Sequence, residues 1–194
     1  MRTNHTTFDH GVVGYLEHDQ DCDSPLECDD AVKLAILHRN YANPAPACGS
    51  TPEEIAQWAK DNAAEWDAYP LYLYDHSGVC YKPAKTEVNP FSCAWDSGRV
   101  GSVFVKKIEC PDTFATAEIM CEEYTRWCNG DCWGYVVEDE NGEQLDSCWG
   151  YIGEEYAVEE MRSSAEGYVD DERERHNTEM AADIEASRPD MVLS

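Results

Sequence analysis

The sequence predicts an α+β protein: a small, mainly antiparallel sheet packed by helices, followed by an acidic C-terminal helical segment. Short apolar runs separated by polar turns between Tyr69 and Val105 indicate strands. Capping residues mark two helix starts, and residues 154–187 have a helical pattern crowded with acids. With 194 residues, 42% of them hydrophobic, the chain can bury a core. We expect one domain over residues 1–155 and an acidic helical extension over 156–194, packed on it or projecting from it.

The first part of the chain is predicted to hold a loop and two helices. Residues 17–25 are typical of an acidic loop that becomes a turn. Asp29 or Asp30 is expected to cap a helix over 31–41, because Val32, Ala35, Ile36 and His38 are spaced for one face. Thr51-Pro52-Glu53-Glu54 combines an N-cap residue with proline in the first turn and favours a helix to about Ala68.

The middle of the chain is predicted to supply the sheet. Tyr69–Asp75 and Val79–Tyr81 are expected to be strands that flank an Asp75-His76-Ser77-Gly78 turn. A third strand is expected over Val100–Ile108. Asp112 or Thr113 then caps a helix that continues to Trp127 and ends at Asn129-Gly130.

A repeated tetrapeptide predicts a hairpin. Cys132-Trp133-Gly134-Tyr135 recurs as Cys148-Trp149-Gly150-Tyr151, and Asn141-Gly142, a strong hairpin-turn signal, lies between the copies. A two-residue turn there pairs Cys132 with Tyr151 and Tyr135 with Cys148. We interpret the repeat as packing chemistry and not as a catalytic repeat.

The segment from Glu154 to about Ser187 is predicted to form one helix, or two broken near Gly167. Apolar residues are sparse in it, so its acids form either a solvated face or a docking surface. The carboxylates predicted to contact a partner are Glu154, Glu155, Glu159, Glu160, Glu166, Asp170, Asp171 and Glu172.

The net charge of −26 excludes some functions and leaves three explanations open. It argues against nonspecific binding to nucleic acid or to anionic membranes, which requires lysine and arginine. A basic partner, a salty cytoplasm and drift of a solvated surface all remain. The acids lie mainly outside residues 71–108, where five bases accompany three acids. Without a signal peptide or a long apolar run, we expect a cytoplasmic protein with reduced cysteines.

Two polar turns raise an enzymatic alternative. An acid at Asp75 or Asp96 that orients His76 toward Ser77, Ser97 or water would form an acid–base pair. The competing interpretation is that Asp and Ser next to glycine are turn formers.

The sequence contains two patterns typical of metal sites, and neither pattern is complete. Cys128 and Cys132 have a spacing that occurs in zinc sites, but no second clean pair accompanies them. Asp19, Asp21 and Asp23 match only the first part of a calcium loop. We therefore expect neither a metal nor a cofactor.

Several motifs together resemble a family of small proteins carried by phages, plasmids and conjugative elements. They are Glu17-His18-Asp19 with Ser24-Pro25, the triad His38, Arg39 and Tyr41, LYLYDHSG at 71–78, PFSCAWDSGRVG at 90–101, and DSCWGYIG at 146–153. The resemblance covers roughly residues 15 to 155. It implies a mobile-element context but no catalytic or binding residues. This chain departs from the family at 28–32, where Cys-Asp-Asp-Ala-Val replaces a Trp-Asp-Asn-Leu-Gly-like run, and after Tyr156.

Context and charge together predict an anti-defence protein of a mobile element. It would act in the host cytoplasm as an acidic DNA mimic, inhibiting a basic nucleic-acid-binding complex of the CRISPR or restriction type. The alternative is a small hydrolase or nuclease that uses Asp75, His76 and Asp96.

Overall fold

The computed structural model describes residues 2–27 and 29–186, which form two four-stranded antiparallel sheets and three α-helices. The predicted α+β class is confirmed. The strands are β1 (Thr3–Thr7), β2 (Val13–His18), β3 (Val32–Ile36), β4 (Trp66–Asp75), β5 (Val79–Pro83), β6 (Ser97–Lys106), β7 (Cys132–Glu138) and β8 (Gln144–Ile152). The helices are α1 (Pro52–Asp61), α2 (Thr113–Cys128) and α3 (Glu154–Ala186).

The chain divides into two compact units. The central unit is Asp23–Asp131, and the terminal unit combines Met1–Cys22 with Cys132–Ser194. The terminal unit has this composition because β2, near the N-terminus, pairs along its length with β7. Helix α3, which contains most of the predicted extension, packs on the sheet that β2 and β7 share.

The central unit is a sheet with a helix on each face. Its strand order is β3-β6-β4-β5. Helix α2 buries Ala117, Met120 and Cys121 against one face. Helix α1 contributes Ile55 to the core on the other face, which includes Ala35 and Phe104.

The helix predicted over 31–41 is wrong, since Val32–Ile36 is strand β3. Asp29 does accept a hydrogen bond from the Ala31 backbone N–H, at 2.6 Å, as a capping residue would. The chain continues as a strand because Val32, Leu34 and Ile36 alternate and are all buried on one face. Pairing with β6 therefore overrides a spacing that also suits a helix.

Helix α1 begins as predicted and ends earlier. Thr51 caps it, with Oγ1 accepting from the Glu54 N–H at 3.2 Å. The helix stops at Asp61 rather than near Ala68, because Trp66 and the following residues pair with β6. The strands predicted around the Asp75–Gly78 turn and over Val100–Ile108, and the helix capped by Asp112, are confirmed with small shifts of their ends.

Side chains at the C-terminal end of α2 and just after it cover the free edge of β5. Asn129, just after the helix, accepts from the Val79 N–H at 2.9 Å and donates to the Val79 carbonyl at 2.8 Å. Thr125 Oγ1 accepts from the Tyr81 N–H at 2.8 Å. Since an open strand edge is a template for pairing with another chain, these contacts protect it.

The terminal unit is a sheet of order β1-β2-β7-β8 covered by the first half of α3. Ala157, Met161, Ala165 and Val169 recur every four residues and are buried against β2 and β7. The sequence pattern does not predict β1 or β2. Helix α3 is continuous, with no break at Gly167, and every described side chain after Glu172 is exposed.

The predicted hairpin is β7–β8, with a register that slips by one residue at each end. Tyr135 pairs with Cys148 as predicted, but Cys132 pairs with Ile152 and not with Tyr151. The turn has three residues rather than two: Gly142 donates to the Asp139 carbonyl at 3.0 Å and has a φ of +79°. This is the geometry of a type I turn closed by a left-handed residue.

The two copies of Cys-Trp-Gly-Tyr use their glycines for different reasons. A Cβ on Gly134 would lie 2.2 Å from the Trp149 ring. The indole therefore packs where any side chain at position 134 would lie. Gly150 has open space but a φ of +91°, and it lies in the bulge where two residues of β8 oppose one of β7. The repeat is therefore one packing device, as we interpreted it.

Candidate functional site

The acids predicted to bind a partner lie on α3, and the burial of α3 determines which way they point. One side of the helix is held against the sheet by Ala157, Met161, Ala165 and Val169. Successive residues of a helix are turned by about 100°. The carboxylates on the opposite side therefore face away from the sheet.

Some of these carboxylates have partners and others do not. Asn4 Nδ2 donates to Glu154 at 2.6 Å, and Asp170 and Glu172 form ion pairs with Arg173 and Arg175. Of the eight predicted carboxylates, four are exposed and form no ion pair or hydrogen bond with any residue that the structure describes. We call them the acidic face: Glu159, Glu160, Glu166 and Asp171.

The charge density of α3 is lower than that of a DNA duplex. Helix α3 has 33 residues, with twelve acids and three arginines, for a net charge of −9 over about 50 Å. This is about one net charge per 5–6 Å, against one per ~1.7 Å for B-DNA and ~3.4 Å for a single strand. By magnitude, α3 is closer to one phosphate strand than to a duplex.

The terminal unit carries most of the excess charge. It holds 22 acids and five arginines, for a net −17, and it contains no lysine. The central unit holds 18 acids and nine bases, for a net −9. The segregation of all six lysines into the central unit places α3 in the more negative half of the chain.

The two polar turns adjoin, but their side chains have separate partners. The Asp75 N–H donates to the Asp96 carbonyl at 2.8 Å. The Asp75 carboxylate accepts from the Tyr41 hydroxyl at 2.8 Å, and the Asp96 carboxylate accepts from the Cys93 thiol at 3.2 Å. In the described part of the chain, no hydrogen bond or ion pair joins His76 to either carboxylate.

The hydroxyls of these turns have structural partners too. Ser77 Oγ donates to the His76 carbonyl, and Ser97 Oγ donates to the Cys93 carbonyl. Both serines thus bond to backbone within their own turns, as turn formers do. The arrangement does not orient the His76 imidazole as a base toward a nucleophile.

Tyr41 is the hydrogen-bond partner of Asp75 that the sequence pattern does not predict. Its hydroxyl reaches Asp75 from 34 residues away, and the hydrogen bond raises the pKa of the tyrosine. Tyr41 is paired with His38 in an isolated bridge and stacks on it at 4.8 Å. His38 and Tyr41 both occur in one of the motifs that resemble mobile-element proteins.

Asp19, one of the three acids considered as calcium ligands, is engaged in the fold. Asp19 accepts from the Asp21 N–H and from the Gly150 N–H, each at 3.0 Å. Cys128 ends α2 and Cys132 begins β7. Over the described ranges, no group of three or more His, Cys, Asp or Glu side chains is arranged to hold a metal ion.

Comparison with known proteins gives no match among family models, curated proteins or solved structures. The resemblance to mobile-element proteins therefore stays a prediction. Among the helices of the described residues, none has the length and apolar character needed to cross a bilayer.

Proposed function

We propose that this protein is a non-enzymatic inhibitor carried by a mobile element. It binds a basic, nucleic-acid-handling defence complex of the host, of the CRISPR or restriction type. The observation that carries the proposal is the acidic face of α3, whose four carboxylates lie exposed on a helix anchored to a sheet and have no cationic partner among the described residues.

Rigid placement is what distinguishes this face from a solvated acidic tail. The buried side of α3 is held by four side chains, of which Ala157, Met161 and Ala165 are fully buried. Because the backbone that bears these carboxylates is already ordered, closure of a cationic cleft costs only the ordering of their side chains. Opposite charge also speeds encounter with such a cleft, by up to several orders of magnitude at low salt.

The charge density of α3 indicates which form of nucleic acid the helix mimics. Because the linear charge of α3 is closer to that of one phosphate strand, we propose that it occupies a groove for a single strand or for one edge of a duplex. A partner that grips both strands of B-DNA fits this helix less well.

The test compares two sets of four neutralised acids. The first set neutralises the acidic face: Glu159→Gln, Glu160→Gln, Glu166→Gln and Asp171→Asn. The matched control removes the same charge from exposed, unpaired acids of the central unit: Glu27→Gln, Glu53→Gln, Glu65→Gln and Glu118→Gln. All eight are surface changes, so each should alter the free energy of unfolding by no more than about 0.5 kcal/mol.

The readout is the efficiency of plaquing of a targeted phage on a host with an active restriction or CRISPR system. Expression of the unchanged protein should raise plaquing, the acidic-face variant should lose this effect, and the control variant should keep it. Capture of the defence complex in a pull-down should weaken as salt rises. If the two variants raise plaquing equally, salt adaptation or a solvated surface explains the acids better. If the unchanged protein does not raise plaquing, the proposal is refuted.

A further inference from the structure

The loop between β5 and β6 presents the most exposed large apolar side chain of the described residues. Trp95 is 97% exposed, and Val88 on the same loop is 71% exposed. Pro90 and Ala94 are exposed as well. The Trp95 ring therefore adds almost nothing to the core, although an aromatic ring is among the side chains that gain most from burial. We call residues 84–96 the Trp95 loop.

The Trp95 loop is held in place by contacts on both sides of its tryptophan. Asn89 Oδ1 accepts from the Phe91 N–H at 2.9 Å, and the Phe91 ring packs on Tyr74 with centroids 5.7 Å apart. The Cys93 thiol donates to the Asp96 carboxylate at 3.2 Å, which ties together the residues that flank the tip. Since the loop is already ordered, a partner that covers it has little backbone to immobilise.

The charge around the Trp95 loop differs from that of the rest of the chain. Residues 79–106, which comprise β5, the loop and β6, carry four bases and two acids, while the whole chain carries −26. The other residues therefore carry a net −28. Two copies of the chain repel each other through this excess charge, and the segment around the loop adds nothing to the repulsion.

The same charge pattern indicates what covers the loop. Nucleic acids and acidic proteins are repelled by the net charge of the chain. A strongly basic partner is attracted more to the terminal unit, which carries −17. An apolar loop in a near-neutral segment instead suits an uncharged apolar surface, and the same loop of a second copy is such a surface. A two-fold axis brings identical patches of two copies together.

We propose that the Trp95 loop is an interface between two copies of this chain, in which each Trp95 indole packs on the loop of the other copy. Tryptophan is among the residues that contribute most to protein interfaces. The loop has 13 residues, fewer than the 20–30 a side of a standard interface. We therefore expect a reversible dimer with a Kd on the order of 10 μM. The inference uses no residue of α3 and stands independently of the proposed function.

Sedimentation equilibrium of the full chain under reducing conditions measures this dimer. Dimerisation should strengthen as NaCl rises from about 0.1 M to about 0.5 M, because salt screens the repulsion between two copies of charge −26. A chain that stays monomeric at about 300 μM, well above the expected Kd, would overturn the proposal. So would a dimer that weakens as salt rises, since opposite charges would then join the copies.

Two variants locate the interface. Trp95→Ala removes the indole, and Ile119→Ala is the matched control, because Ile119 is an apolar residue of α2 that is 60% exposed. Loss of one major contact weakens binding about thirtyfold, and both copies carry the change, so the Kd of Trp95→Ala should rise about a thousandfold. The control should dimerise as the unchanged protein does, and circular dichroism should show that both surface variants are folded. Full dimerisation by Trp95→Ala, or equal loss in the two variants, would place the interface elsewhere and overturn the proposal.

Discussion

Replacing Gly134 by alanine tests the packing device at the centre of the repeated tetrapeptide. The new Cβ would lie 2.2 Å from Cε3 of Trp149, far inside contact distance, and 2.4 Å from Cδ2. Gly134 is on β7 in the middle of a buried strand, so the backbone cannot retreat easily. The Trp149 indole must therefore move out of its packed position.

The expected loss of stability in Gly134→Ala has two sources: overpacking by the new Cβ and the lost contacts of the Trp149 ring. Forcing atoms into a packed site destabilises by about 1–3 kcal/mol. The Trp149 side chain is 46% exposed, so displacing it forfeits only part of the burial of a tryptophan. We expect Gly134→Ala to lower the free energy of unfolding by about 2–3 kcal/mol.

The same change should be harmless once the ring is gone. In a Trp149→Ala background, the three atoms nearest to the new Cβ are gone, and Gly134→Ala removes a flexible residue from a strand, which favours folding by about 0.5–1 kcal/mol. The double-mutant cycle should therefore show strong coupling. Gly150→Ala, by contrast, should destabilise in both backgrounds, because its φ of +91° disfavours any side chain.

Urea unfolding followed by circular dichroism measures these differences. Hydrogen exchange of the β7 and β8 amides is needed beside it, because a chain with two compact units need not unfold in one step. Equal destabilisation by Gly134→Ala with and without Trp149 would refute the reasoning, since the effect would then not come from the ring.

Two further changes test contacts in each unit. Asn129→Ala removes both hydrogen bonds to Val79 and should destabilise the central unit by about 1–2 kcal/mol, with faster exchange of the Val79 amide; unchanged exchange would contradict the edge-covering role. Hydrogen bonds from Ser164 and Tyr135 hold the pKa of the Asp146 carboxylate below its usual value. Its contribution is therefore present above an unfolded-state pKa of about 4 and is lost as pH falls through the lower folded-state pKa. Asp146→Asn should destabilise at pH 7 and differ less from the unchanged protein at pH 3; a constant difference between these pH values would contradict this assignment.

Capping and turn chemistry account for the parts of the fold that could be predicted. Thr51 and Asp112 bond to backbone N–H groups three residues on, and both helix starts were found where these residues lie. The pairing of Tyr135 with Cys148 followed from the Asn141-Gly142 signal. The exact turn did not, because a two-residue and a three-residue loop suit the same dipeptide.

The sequence predicted the charge of the candidate site but not the directions and partners of its side chains. The sequence alone placed acids along a helix, but it did not distinguish Glu159, which pairs with no described residue, from Asp170, which pairs with Arg173. It grouped Asp75 with His76 because they are adjacent in the chain. Adjacent residues of a turn point in different directions, and the carboxylate instead meets Tyr41.

The amino-acid sequence by itself determined what depends on neighbours in the chain: the helix caps, the position of the central turns, the helical C-terminal segment and the excess of negative charge. Only the tertiary structure decided that Val32–Ile36 is a strand, that α1 stops at Asp61, and that the two ends of the chain share one sheet. The physical reason is the range of the interactions. A cap or a turn is completed within about four residues. Strand pairing and burial need partners far along the chain, whose positions local pattern does not specify.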